Sequence, residues 1–274
     1  MRLTTRARAG LWAVSAMVLL FVYLPLMVIA LNSFNSDRTF GWPPPSLTVK
    51  WWRLAAQAEG PRNALWTSVQ AGLGATAVAL ILGSLLAFAL TRYRFFGRQA
   101  ISLLVVLPIA LPGIVTGVAL QSVIQNVLSP VFGIGAGLFT IIVGHATFCI
   151  VVVFNNVTAR LRRFGSSLEA ASADLGARPL TTFRLVTFPL LRSALLAGAL
   201  LAFGLSFDEI VVTTFTAGAG LETLPIWIFR NLSRGEQQPI VTVVATAVML
   251  MSVIPVWVAQ RLTSDDGPLT GGTR

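Results

Sequence analysis

The chain is poor in most of the residues that soluble proteins use for chemistry. Its 274 residues include one cysteine, one histidine and one lysine: Cys149, His145 and Lys50. A single cysteine excludes a disulfide within the chain, and with a single histidine there is no Cys/His cluster of metal-binding spacing. No H-E-x-x-H segment is present, so a zinc-protease site is excluded. The one lysine stands between Val49 and Trp51, so the chain has no G-x-x-x-x-G-K-[ST] loop to cradle nucleotide phosphates. Charge is scarce as well. Only 11% of residues are charged, against about 25% in a soluble domain.

What fills the chain instead is apolar sequence. Hydrophobic residues make up 55%, and the mean hydropathy is +0.79. Six runs, near 11–31, 64–90, 101–125, 137–157, 194–215 and 240–260, approach the roughly 20 residues that cross a bilayer. The expected fold is therefore an all-α membrane protein with six transmembrane helices, a single transmembrane domain over 1–274 with its core at about 60–260. The first run is too long for a signal-peptide core and no clear small-x-small cleavage site follows it, so it reads as an uncleaved anchor.

Twenty Lys and Arg against ten Asp and Glu give a net charge of +10. Nucleic acid is not the partner this implies, because a nucleic-acid face gathers its cations on one soluble surface. Here they sit at the ends of the apolar runs, where they set topology against membrane lipid. Arg2, Arg6, Arg8, Arg92, Arg94, Arg98, Arg160, Arg162, Arg163, Arg178, Arg184, Arg192, Arg261 and Arg274 fall on one side. Arg38, Lys50, Arg53, Arg62, Arg230 and Arg234 fall on the other. Fourteen against six predicts that both termini are cytoplasmic in a multi-pass membrane protein. In the opposite loop, 32–63, Trp42, Trp51 and Trp52 read as interface anchors, with a short helix near 48–58 or a merely folded loop as the alternatives.

The same count makes residues 158–193 cytoplasmic, between the fourth and fifth spans. This insert is polar and arginine-rich. Ser166-x-x-Glu169 fits a capping box, and a helix from there presents Leu168, Ala171 or Ser172, and Leu175 on one face. Gly176 suits its C-terminus, and Pro179 opens a second helix, about 179–187, that carries Phe183 and Val186 before Pro189. Two short helices with exposed apolar residues form a surface that a partner's groove would accept.

Asp208 and Glu209 lie in the run LSFDEIVVTTF, where ionisable groups are costly and face a cavity or a partner. On a helix they point about 100° apart, so one of them faces any given route. The readings open at this point are attraction of a cationic substrate, packing or a salt bridge with Arg230 or Arg234, and proton relay. His145, in the fourth run, either bonds between helices or lines the route. Pro108, Pro112, Gly113 and Gly117 weaken the third run, as a hinge or as a packing adjustment. Gly72, Gly74 and Gly83 in the second run suit close helix contact.

The insert resembles the cytoplasmic E-A-A loop of binding-protein-dependent ABC transporter permeases, whose pattern is E-A-A, three residues, Gly, nine residues and I-x-L-P. Here nine residues separate Gly176 from Val186-Thr187-Phe188-Pro189. Counting back from Gly176, the pattern's glutamate position is Ala170, and this chain's glutamate is Glu169. SFDEIVVTTFTAG followed by TLPIWIF, together with GHATFCIVVV and SADLGA, resembles the second permease of spermidine/putrescine transporters over roughly 10–262. The resemblance implies a permease subunit of an ATP-driven importer in the plasma (inner) membrane of a prokaryote, not an enzyme. Its partners would be a second permease subunit, two ATP-binding subunits and an extracytoplasmic substrate-binding protein. No cofactor would sit on this chain, and ATP would be bound by the partner ATPase. Leu168, Glu169, Ala170, Ala171, Gly176, Phe183 and Pro189 would form the ATPase contact. A permease for another small solute, or a proton-coupled transporter working through Asp208 or Glu209, is the alternative.

Overall fold

The computed structural model describes residues 4–39, 41 and 43–264. Arg2, Trp42 and Arg274, which entered the topology and interface readings, lie outside the described residues. The described chain is helical: α1 (Thr5–Asn32), α2 (Lys50–Gln57), α3 (Glu59–Arg92), α4 (Arg98–Ala110), α5 (Gly113–Val123), α6 (Ser129–Phe132), α7 (Leu138–Phe164), α8 (Ser167–Asp174), α9 (Pro179–Thr182), α10 (Phe188–Phe207), α11 (Val211–Thr216), α12 (Leu224–Asn231) and α13 (Gln238–Ser264). The only β-type pairing among the described residues is an isolated bridge between Asn35 and Leu47. Among the described residues five helices are long and apolar enough to cross a membrane: Thr5–Asn32, Glu59–Arg92, Gly113–Phe132, Leu138–Phe164 and Pro179–Phe207. Arg98–Ala110 and the Gln238–Val253 part of α13 are shorter apolar stretches.

Two of these five continue through wide turns. The N–H of Ser129 bonds the carbonyl of Ile124, and the N–H of Phe188 bonds that of Phe183, five residues back in each case. A proline follows at once, Pro130 in the first and Pro189 in the second. Proline has no N–H for the carbonyl four residues behind it, and its ring crowds that carbonyl. One extra residue in the preceding turn relieves the conflict without stopping the helix. The second insert helix therefore does not end near 187, as expected from Pro189. It runs on from α9 into α10.

Two expected spans are interrupted. The third run is two helices, α4 and α5, because Pro112 bars its predecessor from the helical region. Leu111 is extended at φ −79°, ψ 142°, Pro108 stays inside α4, and Pro112 caps α5, which starts at Gly113. The fifth run stops at Phe207 and resumes as α11. The polar pair Asp208-Glu209 offers the chain local bonds that compete with helix continuation, and Glu209 uses its carboxylate in this way on the Val212 N–H.

The chain divides into two compact units. One comprises 1–62 and 227–253. Within it the turn after α1 is held by polar contacts. The Trp51 indole N–H donates to the Asn35 carbonyl at 2.9 Å, and Asn35 Nδ2 donates to Asn32 Oδ1 at 3.2 Å. Phe34 stacks on Trp52 with centroids 5.4 Å apart. These contacts position α2, the short helix expected near 48–58.

The other unit comprises 63–226 and 254–274. Its core is α7, whose Phe148, Cys149, Val153, Phe154, Val157 and Leu161 are buried against α3, α10 and α11. The α3 face that meets it is built of small residues, including Ala75, Ala79 and Ala87. A β-carbon on Gly74 would lie 2.6 Å from Ile142 Cδ1, and one on Gly83 would lie 2.9 Å from the Ile150 carbonyl. Gly72 faces Phe203 of α10 in the same way. Backbones approach closely because side chains are missing, which is how helices associate where no hydrophobic effect drives them together.

Candidate functional site

Two places in the second unit gather the residues singled out from sequence. The first is the gap between α10 and α11. Asp208 ends α10 at φ −91°, ψ 2°, and is exposed. Glu209 is half-buried, and its Oε1 accepts the N–H of Val212 at 2.9 Å. That carboxylate caps the new helix, replacing a partner the first turn lacks. The two carboxylates thus do not share a continuous helix, and the argument from a 100° offset does not apply to them.

His145 lies beside this gap and is wholly buried. Its Nδ1 is 2.7 Å from Ser206 Oγ on α10, and its Nε2 is 2.7 Å from Thr213 Oγ1 on α11. Thr213 uses its own hydroxyl hydrogen on the Glu209 carbonyl at 2.8 Å. Its oxygen is then the acceptor, so Nε2 carries the ring proton and Nδ1 accepts from Ser206. One neutral imidazole thereby ties together both sides of the break. Ser206 and Thr213 were not singled out from sequence. They stand on separate helices on either side of the break, so no local spacing in the sequence pairs them. At the far end of α11, Thr140 Oγ1 donates to the Thr216 carbonyl at 2.7 Å.

The second place is the 158–193 insert. The C-terminus of α8 is a complete Schellman turn. The Gly176 N–H bonds the Ala173 carbonyl at 2.8 Å, the Ala177 N–H bonds the Ser172 carbonyl at 3.1 Å, and Gly176 has φ +80°. Only glycine takes that conformation without a steric penalty. Ser172 and Thr182 hydroxyls lie 2.9 Å apart and join α8 to α9. The start of α8 differs from the expected capping box. Ser166 supplies only its carbonyl, which accepts from Ala170, and its side chain makes no capping bond.

Glu169 is occupied elsewhere. Its Oε2 is 2.9 Å from Arg92 Nε, and its Oε1 accepts the Thr187 hydroxyl at 2.9 Å. With both oxygens engaged there, the carboxylate is not turned back to cap α8. Leu168, Ala170, Ala171, Leu175 and Pro189 are exposed, Leu175 almost completely at 89%. Leu180 and Leu185, not singled out from sequence, are exposed beside them. Phe183 is partly covered: its ring meets Phe88 of α3 edge-on at 5.9 Å and Phe188 at 6.2 Å. Arg92 and Thr187 were also missed, because nothing local in sequence ties either to Glu169. The third group, Pro108, Pro112 and Gly113, lies at the α4–α5 break, where a β-carbon on Gly113 would meet Val211 of α11 at 3.6 Å.

Comparison with known proteins places these features in context. Residues 79–265 match the family described as the binding-protein-dependent transport system inner membrane component. The spermidine/putrescine transport system permease protein PotC of Shigella flexneri is 32% identical over 252 residues, covering 92% of this chain and 93% of that protein. The putrescine transport system permease protein PotI of Escherichia coli (strain K12) is 30% identical over 236 residues, covering 84% and 82%. The putative 2-aminoethylphosphonate transport system permease protein PhnV of Salmonella choleraesuis is 30% identical over 264 residues, covering 93% and 97%. In fold, the chain resembles a bacterial ABC transporter involved in the import of the acidic polysaccharide alginate. The TM-score is 0.67 and the coverage 98% and 100%, at 18% identity.

Proposed function

The chain belongs to the family of binding-protein-dependent transport system inner membrane components, and from that premise we propose that it is the polyamine-moving permease subunit of an ATP-driven importer. Its substrate class is spermidine or putrescine, as in the names of its PotC and PotI relatives. In this reading α1, α3, α4 with α5, α7, α10 and α13 make six crossings, with both termini and the 158–193 insert on the cytoplasmic side of the inner membrane. The insert docks on an ATP-binding subunit. A second permease subunit completes the pore, a pair of ATP-binding subunits drives it, and an extracytoplasmic protein delivers the substrate.

The observation that carries the docking part is the insert's build. A row of exposed leucines, Leu168, Leu175, Leu180 and Leu185, stands on an element fixed by a Schellman turn and by side-chain bonds. Exposed apolar side chains on a rigid polar element suit a protein groove. For the route, the α10–α11 gap supports a cation contact. Interrupted helices at membrane depth are tolerated where they line a cavity, and the exposed carboxylate of Asp208 stands in such an interruption. Glu209 holds the gap's shape through its cap, His145 holds both flanks, and the α4–α5 break acts as the hinge.

The reading is tested by purifying the tagged chain from its native membrane and identifying co-purified chains by mass spectrometry. An ATP-binding chain and a second permease are expected. Uptake by the reconstituted complex should be ATP-dependent and saturate with putrescine or spermidine. The 30% identity to a phosphonate permease favours one second reading, transport of another small amine-bearing solute. Uptake of 2-aminoethylphosphonate without polyamine uptake would select it.

A further inference from the structure

Covalently, the insert is attached only to α7 before it and α10 after it. Side-chain bonds attach it to a third helix. Arg92 is the last residue of α3. Its Nη2 donates to the Gly165 carbonyl at 2.5 Å, at the junction of α7 and α8. Its Nε pairs with Glu169 Oε2 on α8 at 2.9 Å. Its guanidinium also lies over the Phe164 ring, 5.4 Å from the centroid. Glu169 in turn accepts from Thr187, a buried residue at the start of the rod that becomes α10. One turn before Arg92, Phe88 meets Phe183 edge-on. The end of α3 thus grips the insert at a polar point and at an aromatic one.

The pair is partly shielded, with the Arg92 and Glu169 side chains 15% and 21% exposed, so water and salt screen it less than a surface pair. The breadth of the guanidinium matters: it bonds a carbonyl, stands against a carboxylate and covers a ring face at once, which a compact lysine ammonium does not match. Glu169 is also turned inward, with both oxygens used inside the chain. It is therefore not the group the insert offers to a partner.

We infer that Arg92 is a positioning residue that latches the docking helix α8 to α3 through Glu169, so that a displacement of the insert is delivered to the second span as well as to α7 and α10. This rests on the reading of the insert as the ATPase-docking element. Coupling of this kind needs a double-mutant cycle, since spatial proximity alone does not establish it.

The test uses the whole reconstituted transporter, with three readouts: co-purification of the ATP-binding chain, ATP hydrolysis, and substrate moved per ATP. Arg92→Glu and Glu169→Arg should each leave the complex assembled and hydrolysing ATP. Each should lower substrate moved per ATP about tenfold, within the usual range of coupling between sites. The double exchange, Arg92→Glu with Glu169→Arg, should restore most of it, and Arg92→Lys should fall between. Single variants that transport normally, or a double exchange no better than the singles, overturn the latch. Loss of the ATP-binding chain on Glu169→Arg alone also overturns it, because Glu169 would then be a partner contact.

If charge reversal prevents folding, Arg92→Cys with Glu169→Cys replaces it. Joined by a short thiol cross-linker, this pair should keep its transport, because the two positions move together. Transport blocked by the cross-link overturns the proposal. A wild-type complex that contains no ATP-binding chain defeats the docking reading itself, a different result from any of these.

Discussion

Gly176 separates a conformational requirement from an interfacial one. Its φ of +80° closes α8 through the bonds from Gly176 to Ala173 and from Ala177 to Ser172. A side chain there is strained by roughly 1–2 kcal/mol in the left-handed region, and asparagine is the residue that visits it most readily. Yet a β-carbon at this position meets nothing within 4 Å. The chain itself therefore raises no steric objection to a large residue, and Gly176→Asn, →Ala, →Leu and →Trp should destabilise the isolated permease by similar small amounts. If an ATP-binding subunit packs over the turn, the series separates. Overfilling a packed contact costs about 1–3 kcal/mol, and each 1.4 kcal/mol is tenfold in affinity. Retention of the ATP-binding chain should then fall from Asn and Ala to Leu and Trp by about ten- to a hundredfold. The assay is titration of the ATP-binding chain onto each variant, beside thermal melting of the permease alone. A Gly176→Trp protein that binds and transports as well as Gly176→Asn would refute docking at this turn.

Asp208→Asn should raise the KM for cationic substrate while leaving ATP hydrolysis and assembly intact, and unchanged uptake kinetics would make the residue structural. Glu209→Ala removes the cap on Val212 and should cost about 1 kcal/mol of stability, read by melting in detergent; a melting temperature like that of the parent would show the cap is dispensable. His145→Ala strands the Ser206 hydroxyl at a buried site, while Thr213 keeps its bond to the Glu209 carbonyl, and the lost partner should cost about 1–3 kcal/mol. Thr213→Val leaves the Nε2 proton without an acceptor and should cost a similar amount, and equal stability of all three proteins would count against the imidazole bridge. Gly83→Ala sets a methyl against the Ile150 carbonyl and should destabilise by about 1–3 kcal/mol, whereas Gly133→Ala, with nothing within 4 Å, should show only the backbone cost of its φ of +68°.

The sequence reveals the helical class, the small-residue face of α3 and the Gly176 turn because each follows from composition or from a local rule. The Leu111–Pro112 stop is legible for the same reason, since proline acts on its immediate neighbour. The α10–α11 gap is not. LSFDEIVV carries neither glycine nor proline, and its break falls at Asp208-Glu209, where the Glu209 carboxylate starts a new helix by capping Val212. Glu169 fails differently. Its spacing from Ser166 satisfies a local capping rule, and its carboxylate is instead taken by Arg92 and Thr187, both distant in sequence. Pro189 reads as a stop, but a wide turn absorbed it.

The wide turn at Phe183–Thr187 absorbs a phase difference. A residue inserted into a regular helix of 3.6 residues per turn would advance everything beyond it by about 100°, and a turn that closes five residues back takes up that residue on the spot. The directions in which Leu180 and Phe183 point are thereby kept in step with the face that α10 turns toward α7. Forcing the same residues into a regular helix would rotate the insert against its own span, as a gear is remounted one tooth out.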